Sequence, residues 1–273
     1  MGELRLQPVP FKTLPAPIIR LLPTIFTYVR LTAADNAEVG PDVHQQYVAH
    51  LRALKAILAA AAQAAGLAPE TVEPLVFRCD SMVKLRGAEL AEPLANLNEG
   101  LQAFYKANRK QLRDAITDAP DLYRELYRAE VEQKRILAVY AEETWAESEK
   151  MGTKLTDRCW YDHRRHCESE GMVWLDGIDV VLFAPGTRRI SMNIEAAVTS
   201  AEIPLVVLAG WSKKDDPQNM AELRTEFWYR RSGHRVLHRP FAPVRLYQAI
   251  DKLHLRHLAW LHANRRVMAA AAY

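Results

Sequence analysis

The chain has 273 residues, of which 49% are hydrophobic and 25% charged, which excludes a disordered chain and allows a sizeable core. Its three cysteines are too few for a disulfide framework and favour a reducing compartment. The net charge is only +3, but residues 224–266 carry ten Lys and Arg against two acids. No signal-peptide pattern and no run of 18 apolar residues is present, so we expect a cytoplasmic protein without a membrane span.

Residues 1–30 contain five prolines separated by apolar residues. Because proline fixes φ and lacks an amide hydrogen, this composition predicts a proline-rich extended arm rather than a helix. The apolar residues between the prolines indicate that the arm packs on the body of the protein or on a partner.

Residues 31–134 are predicted to form an α-helical domain. Between Pro41 and Gly66, Tyr47 and several leucines recur at the spacing of one helical face, and the glycine is a typical helix end. Two more helices follow, DAP at 118–120 breaks the pattern, and LYRELYRAEVEQKR begins a fourth helix. Cys79 reads as a small core residue. We expect packing, oligomerisation or protein-partner binding from this domain, and no catalysis.

From residue 135 to residue 273 short apolar runs alternate with helical stretches. The runs are RILAVYA, RCWY, IDVVLF, IPLVVL and HRVLH. Five β-α units of this kind predict a five-stranded parallel flavodoxin/Rossmann-like α/β domain after the helical domain. IDVVLF and IPLVVL do not alternate with polar residues, as is typical of strands buried on both sides. RILAVYA has an alternative interpretation, as a continuation of the preceding charged helix.

The stretch RCWYDHRRHC, residues 158–167, raises the question of a metal site. On a single helix, Cys159, His163 and Cys167 would lie at i, i+4 and i+8, and Cys79 would supply a fourth zinc ligand. The β-α alternation instead requires a strand at RCWYD, with His163 at the turn into the next helix. We therefore predict no metal and no other cofactor.

The loop after the third predicted strand is the candidate ligand site. In a sheet of order 2-1-3-4-5, ligands bind between the first and third strands, beyond their carboxyl ends. There Gly186 and Thr187 belong to a turn, Arg188 adds positive charge, and Ser191 is placed to cap the next helix. Amide groups at such a helix start attract an anion or a ribose hydroxyl.

Two carboxylates complete this candidate site. Glu195 lies one turn into the helix, and Glu142 follows the first strand. A carboxylate in this crevice would bind ribose or act as nucleophile or base. The alternative is that Thr187 and Ser191 only start a helix, with Glu195 as a favourable charge in its first turn.

The segment IDVVLFAPGTRRISMNIEAAVTSAEIPLVVLAG resembles the core of a group of Rossmann-like nucleotide-ligand domains. The group comprises TIR domains, nucleoside deoxyribosyltransferase-like proteins and SLOG domains. AVYAEETWAES is similar to the first strand and helix of TIR domains, and CWYD to their second strand. The resemblance implies that Glu195 matches the glutamate that cleaves NAD in TIR enzymes, or the nucleophile of the deoxyribosyltransferase-like proteins. It also implies an effector or sensor role in bacterial defence.

The segment also departs from these families. Only 16 residues separate Asp162 from Asp179, which is short for a TIR domain. VLHRPFAPVRLYQAI resembles the last strand and helix of response-regulator receivers, with Arg239 in place of their lysine. Phe183 stands where a receiver has its phospho-acceptor aspartate. The alternative function is therefore a non-catalytic interaction protein with a degenerate receiver-like domain.

The run FWYRRSGHRVLHR, residues 227–239, mixes aromatic and basic residues. Stacking combined with phosphate contacts would suit single-stranded nucleic acid. The other interpretation is a helix whose aromatic residues pack inward while its arginines face water. A nucleic-acid-binding subunit that uses residues 224–266 is therefore a further alternative.

Overall fold

The computed structural model describes residues 14–35, 39–131, 134–140, 159–165, 175, 177–184, 198, 203–209, 234–238, 241 and 243–271. Over these residues the chain is mixed α/β, with N-terminal helices and a parallel sheet. It divides into two compact units. We name them the helical unit, Met1–Glu132 with Leu258–Tyr273, and the sheet unit, Gln133–His257. The predicted helical part followed by a parallel sheet is thereby confirmed.

The N-terminal stretch of the helical unit contains seven α-helices in its described part. They are α1 (Ala16–Ile19), α2 (Leu22–Asp35), α3 (Pro41–Ala64), α4 (Glu73–Met82), α5 (Ala91–Ala107), α6 (Arg109–Asp118) and α7 (Pro120–Glu130). Two short 3-10 helices, Pro69–Thr71 and Gly87–Leu90, precede α4 and α5. The long helix α8 (Pro243–Ala271) begins in the sheet unit, and its residues from Leu258 onward belong to the helical unit.

Helix α3 is the central element of the helical unit, and local sequence signals set both of its ends. Pro41 occupies its first turn, where a missing amide hydrogen costs nothing. At the other end Gly66 adopts φ +64°. The amide of Gly66 donates to Gln63 O and that of Leu67 to Ala62 O, which is the Schellman arrangement. Helices α2, α4, α6 and α7 pack around α3.

The prediction of an extended arm over residues 1–30 is wrong for the described part of that segment. Residues 16–19 are helical and so are residues 22–30, which belong to α2. Pro17 and Pro23 each occupy the second position of a helix, where proline is tolerated because no intrahelical amide bond is lost. Residues 1–13 lie outside the described residues.

The sheet unit contains five described strands, all parallel. They are β1 (Lys134–Tyr140), β2 (Cys159–Arg165), β3 (Val180–Ala184), β4 (Leu205–Ala209) and β5 (Arg235–His238). Their order in the sheet is β2-β1-β3-β4-β5. RILAVYA is thus a strand, and its alternative interpretation as a helix is wrong.

Both faces of the sheet are covered. Ile136 and Ala138 of β1 pack with the first part of α8, whereas Leu137 and Val139 lie in a separate cluster on the opposite face. Neighbouring strands repeat the alternation, since Leu182 belongs to the first cluster and Phe183 to the second. Two buried faces explain why IDVVLF and IPLVVL carry continuous apolar residues.

The placement of His163 at a turn is wrong, because β2 extends through residue 165 and includes it. The single helix over residues 154–170 that the zinc hypothesis required does not form either, since residues 159–165 are a strand. Cys167 lies outside the described residues. The division of the chain also differs from the predicted domain range 135–273, because residues 258–273 group with the helical unit.

None of the helices in the described ranges combines the length and the apolar composition needed to cross a membrane.

Candidate functional site

The order of the strands determines where a ligand crevice is expected, at the edge of the sheet formed by the carboxyl ends of the strands. Strands β1 and β3 are neighbours, and their last residues, Tyr140 and Ala184, are paired. Strand β2 lies on the far side of β1, and β4 lies on the far side of β3. The chain therefore leaves β1 toward one side and β3 toward the other, which is the topological switch point where open α/β sheets bind ligands.

The predicted site residues come shortly after these two strand ends in the sequence. They are Glu142 after β1, and Gly186, Thr187, Arg188, Ser191 and Glu195 after β3. All six lie outside the described residues. The structure brings together the strand ends that precede them, and the arrangement of the six side chains stays a prediction.

The described residues directly below this edge are apolar. Val139 pairs with Phe183, and both side chains are fully buried. The sequence resemblance to receiver domains aligns Phe183 with their phospho-acceptor, and its buried phenyl ring offers no oxygen for a phosphoryl group. Val139 and Phe183 therefore contribute no polar group to this edge, and all the predicted site residues follow the strand ends in the sequence.

At the opposite edge of the sheet, where the strands begin, the charged residues have a structural role. Lys134, the first residue of β1, forms an ion pair with Asp251 of α8, with 3.0 Å between Nζ and Oδ1. Next to it, Arg135 N donates to Asp179 Oδ2 at 2.7 Å, and Asp179 N donates to Arg135 O at 2.9 Å. Seven residues of strand span about 20 Å. These charges are thus a strand length away from the switch point. The ion pair links β1 to α8, and the two hydrogen bonds link β1 to Asp179, the residue just before β3.

A second concave feature lies within the helical unit. It is a cavity of about 720 Å³, within the range of small-molecule sites. Its polar lining residues are Tyr28, Thr32, His44, Arg86, Glu89 and His262. We refer to it as the helical-unit cavity.

Three of these side chains form a hydrogen-bonded series. Arg86 Nη2 lies 2.7 Å from His44 Nε2, and His44 Nδ1 lies 2.9 Å from Tyr28 Oη. Arg86 is itself held in place, because its Nη1 donates to the carbonyls of Val83 and Leu85. Desolvation by burial lowers the pKa of His44, and the Arg86 guanidinium lowers it further. His44 is therefore neutral at pH 7.

The aromatic ring of Tyr28 is fixed from behind. It stacks on Tyr47 with 4.0 Å between ring centroids and 10° between ring planes. Tyr47 in turn donates from its hydroxyl to Met82 O at 3.1 Å. Burial raises the pKa of Tyr28, with a smaller opposing effect from Arg86. Tyr28 thus presents a neutral hydroxyl on a rigid support.

The sequence carried no signal for this series of residues. Tyr28 and His44 are 16 positions apart, and His44 and Arg86 are 42 apart. Each residue alone is an ordinary member of a helical domain, and none of them stands in a recognisable motif. Only the packing of α2, α3 and the 3-10 helix before α5 brings them together.

No protein-family model matches the chain, and no curated protein matches it. In the part of the chain that the structure describes, no group of three or more His, Cys, Asp or Glu is placed to hold a metal ion.

Proposed function

We propose that the sheet unit is a Rossmann-like, flavodoxin-type nucleotide-ligand domain of the TIR, deoxyribosyltransferase-like and SLOG group. The observation that carries this proposal is the pairing of Tyr140 with Ala184 at the switch point. This position is where a parallel sheet of this order binds its ligand. The candidate residues follow these two strand ends at short distances along the chain.

The proposed reaction is hydrolysis of the N-glycosidic bond of NAD or a nucleotide. The bond between the ribose C1′ and the base nitrogen breaks, and the base leaves with the electron pair. A water oxygen then becomes bonded to C1′. As nucleophile, Glu195 forms a glycosyl ester at C1′, and the water breaks that C1′–O bond and frees the carboxylate; as base, Glu195 instead takes the proton of the attacking water. By the same resemblance, the protein serves as a defence or signalling effector.

The remaining candidate residues have binding roles in this proposal. Thr187 and Ser191 supply hydroxyl and amide donors to ribose or phosphate, close to Gly186. Arg188 supplies positive charge for a phosphate. Glu142, which follows β1 by two residues in the sequence, faces the leaving base.

The first test is thermal unfolding with NAD, ADP-ribose, nucleoside monophosphates and cyclic nucleotides. We expect one ligand class to raise Tm, because a ligand that binds only the folded state stabilises it. Turnover of that ligand is then compared in Glu195→Gln and in the matched control Glu202→Gln. Loss of turnover in Glu195→Gln alone, with the ligand-induced Tm shift retained, supports the catalytic assignment. Unchanged turnover in Glu195→Gln rejects it.

A second candidate function is that of a non-catalytic interaction protein. The observation that favours it is the exposure of large apolar side chains in the helical unit. Phe77 on α4 is 69% exposed and Leu122 on α7 is 41% exposed, and aromatic residues are enriched at protein interfaces. This function predicts a stable oligomer or complex that Phe77→Ser weakens, and no Tm shift with any nucleotide. Light scattering of the wild type and the variant tests it.

Nucleic-acid binding through residues 224–266 stays a prediction. Its distinguishing property is a steep loss of affinity with added salt, because phosphate contacts release counterions.

A further inference from the structure

The direction of the hydrogen bonds in the helical-unit cavity follows from elementary chemistry. A guanidinium carries only donors, so Arg86 donates to His44 Nε2. A neutral imidazole that accepts at Nε2 carries its proton on Nδ1. His44 Nδ1–H therefore donates to Tyr28 Oη over 2.9 Å. The series runs in one direction, from Arg86 through His44 to Tyr28.

This direction leaves the hydroxyl hydrogen of Tyr28 without an acceptor in the described part of the chain. Tyr28 accepts from His44, and the structure shows no second hydrogen-bond partner for its hydroxyl among the described residues. The residue is fully buried from bulk solvent although it lines the cavity. A buried hydroxyl without an acceptor is costly, so an acceptor placed in the cavity would be stabilised.

The charge of the cavity lining indicates the kind of acceptor. Among the described residues, Arg86 makes hydrogen bonds only to the carbonyls of Val83 and Leu85 and to His44, and none of their carboxylates forms an ion pair with it. Of its five N–H donors these bonds use three, and two remain. The first turn of α3, at Pro41, also lines the cavity, and a helix N-terminus adds partial positive charge.

We propose that the helical-unit cavity binds a small organic molecule through a carboxylate or phosphate group. The oxyanion accepts the Tyr28 hydroxyl hydrogen and the remaining donors of Arg86. The apolar part of the ligand contacts Val39 and Pro41, which line the same cavity. This site is separate from the nucleotide site proposed for the sheet unit and does not depend on it.

The test is calorimetric titration of the full chain with phenyl phosphate and with benzoate. Benzamide serves as the neutral counterpart of benzoate. We expect saturable binding of at least one anion and no comparable binding of benzamide. Binding of phenyl phosphate assigns the site to a phosphate ester, and binding of benzoate assigns it to a carboxylate. If neither anion saturates a site, or if benzamide binds as tightly, the proposal is overturned.

Two variants locate the binding site. Arg86→Gln should weaken the binding of the anion about tenfold or more, the usual cost of losing a charged hydrogen bond. Tyr28→Phe keeps the ring that stacks on Tyr47 and removes only the hydroxyl, so a loss of affinity reports on that hydrogen bond. The matched control is Arg78→Gln, because Arg78 also donates to a backbone carbonyl, that of Asn96, and does not line the cavity. Equal effects in the Arg86 and Arg78 variants contradict the proposal.

Two further measurements separate this site from others. Arg188→Gln alters the proposed nucleotide site in the sheet unit, and it should leave binding of the anion unchanged. If Arg188→Gln abolishes the binding and Arg86→Gln does not, the anion binds elsewhere. Nitrogen-15 NMR of the His44 ring should show a protonated Nδ1 and an unprotonated Nε2. The reverse tautomer would remove the argument for a spare hydroxyl hydrogen on Tyr28.

Discussion

Lys134 Nζ and Asp251 Oδ1 lie 3.0 Å apart, and the two side chains are only 5% and 7% exposed. The pair connects the first residue of β1 to α8 within the sheet unit. We expect Asp251→Ala to lower the free energy of unfolding by about 3–5 kcal/mol, because it removes the carboxylate that pairs with the buried Lys134 charge. Chemical denaturation monitored by circular dichroism measures this change.

An exposed ion pair in the same chain provides the control. Lys55 and Asp80 are 2.7 Å apart, but their side chains are 41% and 54% exposed. Asp80→Ala should change the free energy of unfolding by no more than about 1 kcal/mol. The double change Lys134→Met with Asp251→Leu should recover much of the stability lost in Asp251→Ala. Similar costs for Asp251→Ala and Asp80→Ala would contradict this interpretation.

Cys79 should be inert in the folded protein. Its side chain is buried on α4, and burial raises the pKa of the thiol to about 12, with a smaller contribution from Asp80. Because the thiolate is the reactive form, iodoacetamide at pH 8 should label Cys79 slowly in native protein and quickly in denaturant. Peptide mass spectrometry measures the rate at this cysteine alone. Equal native and denatured rates would show that the thiol is accessible.

The same thiol predicts a loss of stability in alkali. Above its ordinary pKa of 9.0, Cys79 ionises in the unfolded chain but stays protonated in the folded one up to about pH 12. The unfolded state then binds fewer protons, so the free energy of unfolding falls as pH rises, by at most about 1.4 kcal/mol per pH unit. Urea titrations at pH 8, 9 and 10 would measure the slope, and Cys79→Ala should flatten it. Tyr47, whose pKa burial also raises, contributes above pH 10.

Glu89 should oppose the anion proposed for the helical-unit cavity. Glu89 lines the same cavity as Arg86. We expect Glu89→Gln to tighten binding of the anionic probe about threefold, the size usual for partly exposed charges. Glu92→Gln, three positions later on α5 and exposed, is the control and should have no effect. Weaker binding in Glu89→Gln would mean that the carboxylate contacts a positive group of the ligand instead.

Local signals in the sequence were sufficient to predict the ends of helices where a residue acts through the conformation of its own backbone. Gly66 ends α3 because it adopts a left-handed conformation, and Pro120 begins α7 because it fits a first turn. The apolar runs of β3 and β4 correctly predicted that both faces of the sheet are buried. At Pro17 and Pro23 the prolines predicted an extended arm, which is wrong. Proline is compatible both with a helix start and with an extended segment, so its presence alone does not distinguish them.

The helical-unit cavity and the site at the switch point were harder to predict from local sequence signals. Tyr28, His44 and Arg86 carry no common spacing, and their relationship arises only from the packing of helices distant in sequence. The position of the switch point could be predicted from the alternation of strands and helices together with the common strand order 2-1-3-4-5. In that order the first and third strands are neighbours, and the chain leaves them toward opposite sides. The residues predicted for that site follow the strand ends in the sequence, where sequence pattern gives residue types but no geometry.

The helical unit is assembled from two stretches that the whole sheet unit separates in the sequence. His262, from the second stretch, packs so closely on Gly40 that a Cβ at residue 40 would lie 2.6 Å from its ring. During synthesis the ribosome releases Gly40 more than two hundred residues before His262. The first stretch of the helical unit therefore lacks this packing partner until the sheet unit has been synthesised, and the helical-unit cavity has its full lining only once His262 has emerged.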